Sequence, residues 1–355
     1  MKSAIIGLGR IGFDFSLDPK RVQPASHYGC LRYLEMNKKL EGIAICDSDS
    51  FKLARAKSTL ISSTCPSFTN VHEMMMNFKP ELVCIATPTP THRTIVDSVA
   101  SYSFVKGIFL EKPIAESLED AEEIIKICKE KNIILSVNYS RRWDPVYRAV
   151  KTEIDESLIA MVGYHPGPLL RTGTHMIDLF LNYLNDPITI QAIGSPIDNY
   201  LTKQYSYLDD YSINGVFTFS DNKIAWLIAG LETDYLMFEL DLIFVNQRIR
   251  ILNNGTNFEC YLSVPSSRYD GIKELVPKAI LTETSPSNPL LSGISELLDI
   301  CEHADANINI SNSCTGEDAY KTLQATLALH YSSSIENQQI TFEEIKFHPY
   351  KVKSY

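Results

Sequence analysis

The chain has 355 residues and a formal net charge of −10, with 45% of its residues hydrophobic and 21% charged. That length accommodates two domains, and that balance belongs to an ordinary globular chain with a sizeable core. The acidic excess disfavours nucleic acid or an anionic membrane as partner, and no run approaches the roughly 20 apolar residues that span a bilayer.

Met1-Lys2 leads directly into a short apolar run, Ser3 to Ile6, so no signal peptide is expected. Gly7-Leu8-Gly9-Arg10-Ile11-Gly12 follows at once. A strand before and a helix after this G-x-G-x-x-G make it a candidate dinucleotide turn. The first glycine turns the chain, the second admits a pyrophosphate, and the third packs helix on strand. An acidic residue is expected at the end of the second strand, usually about 20 residues on. Leu40 to Cys46 reads as that strand and Asp47 ends it, with residues 14–27 forming an inserted loop that lengthens the spacing. The carboxylates of Asp47-Ser48-Asp49, with no arginine beside them, favour NAD over NADP; the lesser alternative is that Asp47 merely caps the helix that starts near Phe51.

Glu81 to Ala86 is a further buried strand, and Thr87-Pro88-Thr89-Pro90-Thr91-His92 after it forms a stiff loop, since two prolines prevent extension. Gly107 to Leu110 is the next strand. It ends on Glu111-Lys112-Pro113, an acid, a lysine and a proline at an apolar strand tip. Lysine avoids such places unless it is paired or working, so Lys112 is the candidate catalytic group. A helix capped by Ser117 and a strand from Ile133 to Val137, finishing at Asn138-Tyr139, complete a doubly wound, mainly parallel sheet.

Beyond Asn138 the pattern changes. A helix near 145–154, a strand from Leu158 to Tyr164 and a helix from about Thr174 to Asn185 precede a run of strands from Pro187 to Val264. One open antiparallel sheet is the economical reading. Residues 265–289 are proline- and serine-rich and read as a loop, and helices near 290–303 and 316–335 close the chain. The fold class is therefore α/β, with a doubly wound domain at 1–139 and an α+β domain at 140–355. The eight cysteines contain no C-x-x-C pair, and the eight histidines no i, i+4 pair. Neither a disulfide framework nor a metal site is expected, and a reducing cytoplasm fits.

GLGRIG at 7–12, CD at 46–47, TPTPTH at 87–92, EKP at 111–113, NYSRRWDP at 138–145, GTHMID at 173–178 and GEDAYKTL at 316–323 occur in this order along nearly the whole chain. Together they resemble the glucose-fructose oxidoreductase / inositol dehydrogenase / MocA family. The resemblance implies a Rossmann domain followed by a domain with an open sheet through which dimers or tetramers form. It also implies NAD(P)-dependent oxidation or reduction of a hydroxyl/carbonyl pair on a sugar, nucleotide-sugar or polyol. It makes Lys112 the active-site lysine and His175 the catalytic histidine. Gly7, Gly9, Arg10, Ile11 and Gly12 become the pyrophosphate turn and Asp47 the ribose contact, while Thr87, Pro88, His92, Glu111 and Asn138 line the cofactor. Tyr139, Arg171 and Asp178 would face the substrate. Arg171 stands where many polyol dehydrogenases of the family carry an aspartate, four residues before the histidine. An arginine there suits a carboxylate or phosphate, although pairing with Asp178 is the structural alternative. Two other activities are compatible with the family: an NAD-dependent glycosidase that oxidises transiently, and a dinucleotide-binding sensor.

Overall fold

The structure is a computed structural model that describes residues 1–59, 65–205, 207–230, 233, 235–278, 288–303 and 311–353. The first strands are β1 (Lys2–Ile6), β2 (Gly42–Cys46), β3 (Ser67–Phe68), β4 (Leu82–Ile85), β5 (Gly107–Leu110) and β6 (Ile134–Val137). They form one parallel sheet in the order β3-β2-β1-β4-β5-β6, with helices α1 (His27–Met36), α2 (Ser50–Thr59), α3 (Val71–Phe78), α4 (His92–Ala100) and α5 (Leu118–Glu130). Ile45, Ile5, Cys84 and Phe109 lie in one register row and are all fully buried. A parallel sheet covered on both faces asks for such continuous apolar strands, which is why they were legible as runs.

Register also sets the functional edge. Ile6 pairs with Cys46 and Ile85, Ile85 with Leu110, and Leu110 with Val137. Gly7, Asp47, the Thr87 loop, Glu111 and Asn138 therefore all emerge along the carboxyl edge of one sheet, at the strand-order reversal where such sheets bind ligands.

The glycine turn does not lead directly into the expected helix. Phe13 N donates to Gly9 O (2.8 Å), making a single helical turn, and the chain then departs through a short 3-10 helix, Asp14–Leu17. It returns at α1, where His27 N donates to Ile11 O (2.9 Å) and Tyr28 N to Gly12 O (3.0 Å). Each pair is sixteen positions apart, twelve more than α-helical spacing requires. Residues 15–26 are thus looped out of a helix whose hydrogen-bond register continues as if they were absent. Ser26, whose side chain accepts from Gly29 N, caps the resumed helix.

The second set of strands is β7 (Leu158–Tyr164), β8 (Thr189–Ile197), β9 (Ser212–Thr218), β10 (Ile224–Ile228), β11 (Glu239–Phe244), β12 (Gln247–Leu252), β13 (Asn257–Pro265), β14 (Lys273–Lys278) and β15 (Ile340–Thr341). Helices α6 (Pro145–Thr152), α7 (Thr174–Leu184), α8 (Tyr200–Gln204), α9 (Pro289–His303) and α10 (Gly316–Ser334) complete the chain. The nine-stranded sheet runs β14-β13-β12-β11-β7-β10-β9-β8-β15. It is antiparallel except for the pair β7–β10, in keeping with the open, mainly antiparallel sheet expected from the sequence. On one face Gly163 leaves room for Met176 and Phe180 of α7, and Gly215 for Leu329 of α10. The other face carries Val162, Trp226 and Val216 side by side in register, with Trp226 43% exposed.

β14 lies inside the stretch expected to be a loop, and residues 279–287 of that stretch fall outside the described residues. The proline- and serine-rich composition of that stretch hides the strand; its own Pro277 is tolerated because β14 is the edge strand. The division of the chain also differs from 1–139 and 140–355. One compact unit joins Met1–Asp144 with Pro286–Tyr320, and the other joins Pro145–Ser285 with Lys321–Ser354. The later segment belongs to the first unit because α9 packs on β5. A Cβ on Gly107 would lie 2.6 Å from Cys301 Sγ, and one on Gly293 would lie 2.9 Å from the Phe109 ring. Phe109 in turn meets Trp143 (5.6 Å between ring centroids), whose indole donates to Glu296 Oε1 (2.8 Å). Burying such rings contributes about 1.5–3 kcal/mol for each, which anchors β5 two residues before Glu111.

Candidate functional site

In the first unit the glycine turn has the three properties its sequence requires. Gly7 has φ +97, and a Cβ there would collide with Ala86 O at 2.6 Å. A Cβ on Gly12 would overlap Gly7 O. At Gly9, by contrast, a Cβ would meet nothing within 4 Å. The turn is closed below and open above at the one glycine over which a pyrophosphate has to pass. Arg10 is exposed, with its guanidinium 5.3 Å from the Phe15 ring, and Ile11 is partly exposed.

Asp47 ties the end of β2 to this turn. Its Oδ2 accepts the Leu8 N–H (2.7 Å) and its Oδ1 the Asp49 N–H (2.9 Å), while Lys52 Nζ stands 3.9 Å away. Asp47 does not cap α2; Asp49 does, accepting from Phe51 N (2.9 Å). Each Asp47 oxygen accepts a single bond here, and a carboxylate has about four acceptor positions in all, so capacity remains for ribose hydroxyls. On these observations the residues present fit a dinucleotide.

After β4, Thr87 is partly exposed and Pro88 exposed. His92, expected to line the cofactor, is instead fully buried. Its Nε2 lies 3.0 Å from Thr87 O and its Nδ1 3.2 Å from Ile114 O. Burial pushes this imidazole below its ordinary pKa, against the raising effect of those carbonyls and of Glu111. Its two nitrogens face carbonyls of the β4 loop and of the segment after Glu111-Lys112-Pro113, and the single N–H of the neutral ring donates to one of them.

Beneath Lys112 lies a buried polar cluster. Glu111 Oε1 receives both Asn138 Nδ2 (2.7 Å) and His27 Nε2 (2.7 Å). Burial alone raises the Glu111 carboxyl, but the hydrogen bond and charge of His27, the Asn138 amide and the Lys112 charge together bring it below the usual carboxylate range. Glu111 is therefore an ionised carboxylate at neutral pH. Lys112 is partly exposed and joined to Pro113 by a cis peptide bond, and Tyr139 is fully buried. His27 is the residue that sequence reasoning missed, because it stands at the end of the insertion and was read as part of it.

In the second unit a π-helical turn, Leu169–Gly173, precedes α7. The buried carboxylate of Asp210 accepts Leu170 N (2.7 Å) and Arg171 N (2.9 Å), and His330 Nε2 lies 3.3 Å from its Oδ1. This carboxylate fixes the backbone that carries Arg171, and no motif around it announced the role. Arg171 and His175 are partly exposed. Asp178 is buried and accepts the Thr322 hydroxyl (3.1 Å). Among the described residues no helix is long and apolar enough to cross a membrane.

Residues 1–139 match the family described as "Oxidoreductase family, NAD-binding Rossmann fold", Gfo/Idh/MocA. Among curated proteins, scyllo-inositol 2-dehydrogenase (NAD(+)) of Bacillus subtilis strain 168 is 29% identical over 167 residues, covering 47% of this chain and 44% of that protein. The matched segment therefore spans less than half the length of that relative. Among solved structures, the WlbA dehydrogenase of Bordetella pertussis, in complex with NADH and UDP-GlcNAcA, has a TM-score of 0.69 at 14% identity, covering 96% of this chain and 98% of that one. A super-repressor mutant of Gal80p from Saccharomyces cerevisiae has a TM-score of 0.72 at 12% identity, covering 97% and 98%. At these identities the structural likenesses establish the fold.

Proposed function

Taking as premise that residues 1–139 belong to the Gfo/Idh/MocA oxidoreductase family, we propose that the protein is an NAD(P)-dependent oxidoreductase. It would act on the hydroxyl/carbonyl pair of a sugar, nucleotide-sugar or related polyol. The observation that carries this reading is Lys112 standing on the ionised, doubly hydrogen-bonded Glu111 at the carboxyl edge of β5. Strand order puts that tip on the opposite side of β1 from Asp47. A dinucleotide laid across the reversal with its adenosine ribose on Asp47 would bring its nicotinamide end to β5.

Gly7, Gly9, Arg10, Ile11 and Gly12 hold the pyrophosphate in this reading, and Asp47 the ribose, which favours NAD over NADP. When bound, the nicotinamide supplies the hydride chemistry; the protein supplies position and proton handling. Lys112 polarises the substrate oxygen and stabilises charge that develops on it. His175 accepts the hydroxyl proton as general base. Arg171 clamps an anionic group, so an acidic or nucleotide-linked sugar is the substrate class we favour. The eight cysteines are free, which supports a reducing, cytoplasmic setting. The apolar face around Val162, Trp226 and Val216 supports a homodimer or homotetramer formed through the second sheet.

A second reading, the dinucleotide-binding sensor, draws support from Arg171 in place of an aspartate. A thermal-shift panel of NAD, NADP and nucleotide-sugars tests the proposal. A ligand of the native state stabilises it by about 2.7 kcal/mol at a hundredfold excess over its dissociation constant. NAD should raise the melting temperature more than NADP; no response to either dinucleotide refutes the reading.

A further inference from the structure

We propose that His27 is a positioning residue for the nicotinamide end of the dinucleotide site: through Nε2 it fixes the Glu111 carboxylate at the tip of β5, and with it the backbone that presents Lys112. This rests on the dinucleotide reading above and assigns a role within that site to a residue outside its motifs.

Four observations converge. The chain brings His27 to this place in spite of the excursion at residues 15–26, because its own N–H continues the helical register from Ile11 O. The ring is fully buried, 2.7 Å from Glu111 Oε1 and set edge-on to Phe109 at 5.8 Å between centroids. Both donors, His27 and Asn138, meet the same oxygen, Oε1, and Oε2 has no hydrogen-bond partner among the described residues. Finally, His27 Nδ1 and Asn138 Oδ1 are buried without any partner.

Buried polar atoms are almost always satisfied, so a cluster that leaves two orphans beside a half-used carboxylate is not arranged for stability alone. Replacing buried ionic groups by well-packed apolar ones is often neutral or stabilising, which makes a buried carboxylate a poor device for fold stability. Its geometry suits orientation instead. With Oε1 pinned from two sides the carboxylate plane cannot rotate, and Oε2 keeps a fixed direction for a donor on the ligand, a ribose hydroxyl or a carboxamide N–H.

The test separates the two ends of the ligand by isothermal titration of NAD and of ADP-ribose, which lacks the nicotinamide. For His27→Phe we expect NAD affinity to fall by about tenfold or more, the order expected on losing one charge-assisted hydrogen bond, with ADP-ribose affinity unchanged. His27→Gln, which can still offer an amide N–H to Glu111, should restore most of the loss. Equal loss for both ligands would mean that His27 only braces the fold, and would overturn the proposal, as would unchanged NAD binding. If His27→Phe does not fold, His27→Gln and Glu111→Gln carry the same comparison, with Glu111→Gln expected to lose NAD selectively. A wild-type protein that binds neither ligand refutes the dinucleotide reading itself; one that binds both while His27→Phe binds both equally well refutes only the role of His27.

Discussion

Replacing Asp47 by alanine separates what its carboxylate does for the fold from what it does for a ligand. The Leu8 N–H it receives is buried, and Leu8 itself is 2% exposed. A hydrogen bond to a charged acceptor contributes about 1.5–3 kcal/mol, and a buried donor left unpaired costs a similar amount. The second bond, to Asp49 N, is partly exposed and adds less. Asp47→Ala should therefore destabilise the first unit by about 2–3 kcal/mol, and Asp47→Asn, which keeps one acceptor, by about 1 kcal/mol. For a unit of this size each kcal/mol moves the midpoint by roughly 2–4 °C, so calorimetry should show the alanine variant melting roughly 5–10 °C lower. Ligand titration below the melting range then isolates the second role: both variants should lose NAD affinity, including the asparagine variant, whose fold is nearly intact. An alanine variant that melts within about 1 °C of wild type would refute the assignment of Asp47 as the tie on the glycine turn.

Gly12→Ala places a Cβ onto the Gly7 carbonyl; backbone cannot give way cheaply there, so loss of several kcal/mol or failure to fold is expected in urea titrations. Excising residues 15–26, joining Asp14 to His27, should leave a folded protein within about 2 kcal/mol of wild type, because the helix register already bypasses them and closing a loop of that length costs little; chemical denaturation checks this, and a variant that does not fold refutes the reading. Because the folded-state pKa of Glu111 lies below its unfolded value, its contribution to stability is present above about pH 4.5 and is lost as pH falls through the folded value. Glu111→Gln should therefore show a shallower acid limb in stability-versus-pH curves, and an unchanged limb would contradict the ionised assignment.

How much was legible follows from what each element depends on. The runs at Ile5, Ile45, Cys84 and Phe109 were visible because a sheet covered on both faces needs apolar residues at every position. The glycine turn, the strand end at Asp47 and the Glu111-Lys112-Pro113 strand tip were visible because each is written in adjacent residues. What sequence could not show depends on distant partners. The carbonyls of Ile11 and Gly12 are taken up by amides sixteen residues later, so the insertion hid both the continuity of the helix and the place of His27. His92 looked like a cleft residue until its two nitrogens were found on Thr87 O and Ile114 O. α9 joins the first unit through Gly107 and Gly293, whose lack of side chains is informative only once Cys301 and Phe109 are seen beside them. β14 was hidden in a proline- and serine-rich stretch, and its own Pro277 is one that an edge strand accommodates.

The central claim is that Lys112 serves a hydride transfer between nicotinamide and a hydroxyl/carbonyl pair. Its most direct test follows the nicotinamide absorbance with NAD and a panel of inositols, aldoses and uronic or amino UDP-sugars, for wild type and Lys112→Ala, with NAD affinity measured in parallel. The account predicts net NADH formation with at least one of these classes, and loss of that turnover in Lys112→Ala with NAD binding retained. NAD binding without net reduction by any of them, or turnover that survives Lys112→Ala, would contradict it.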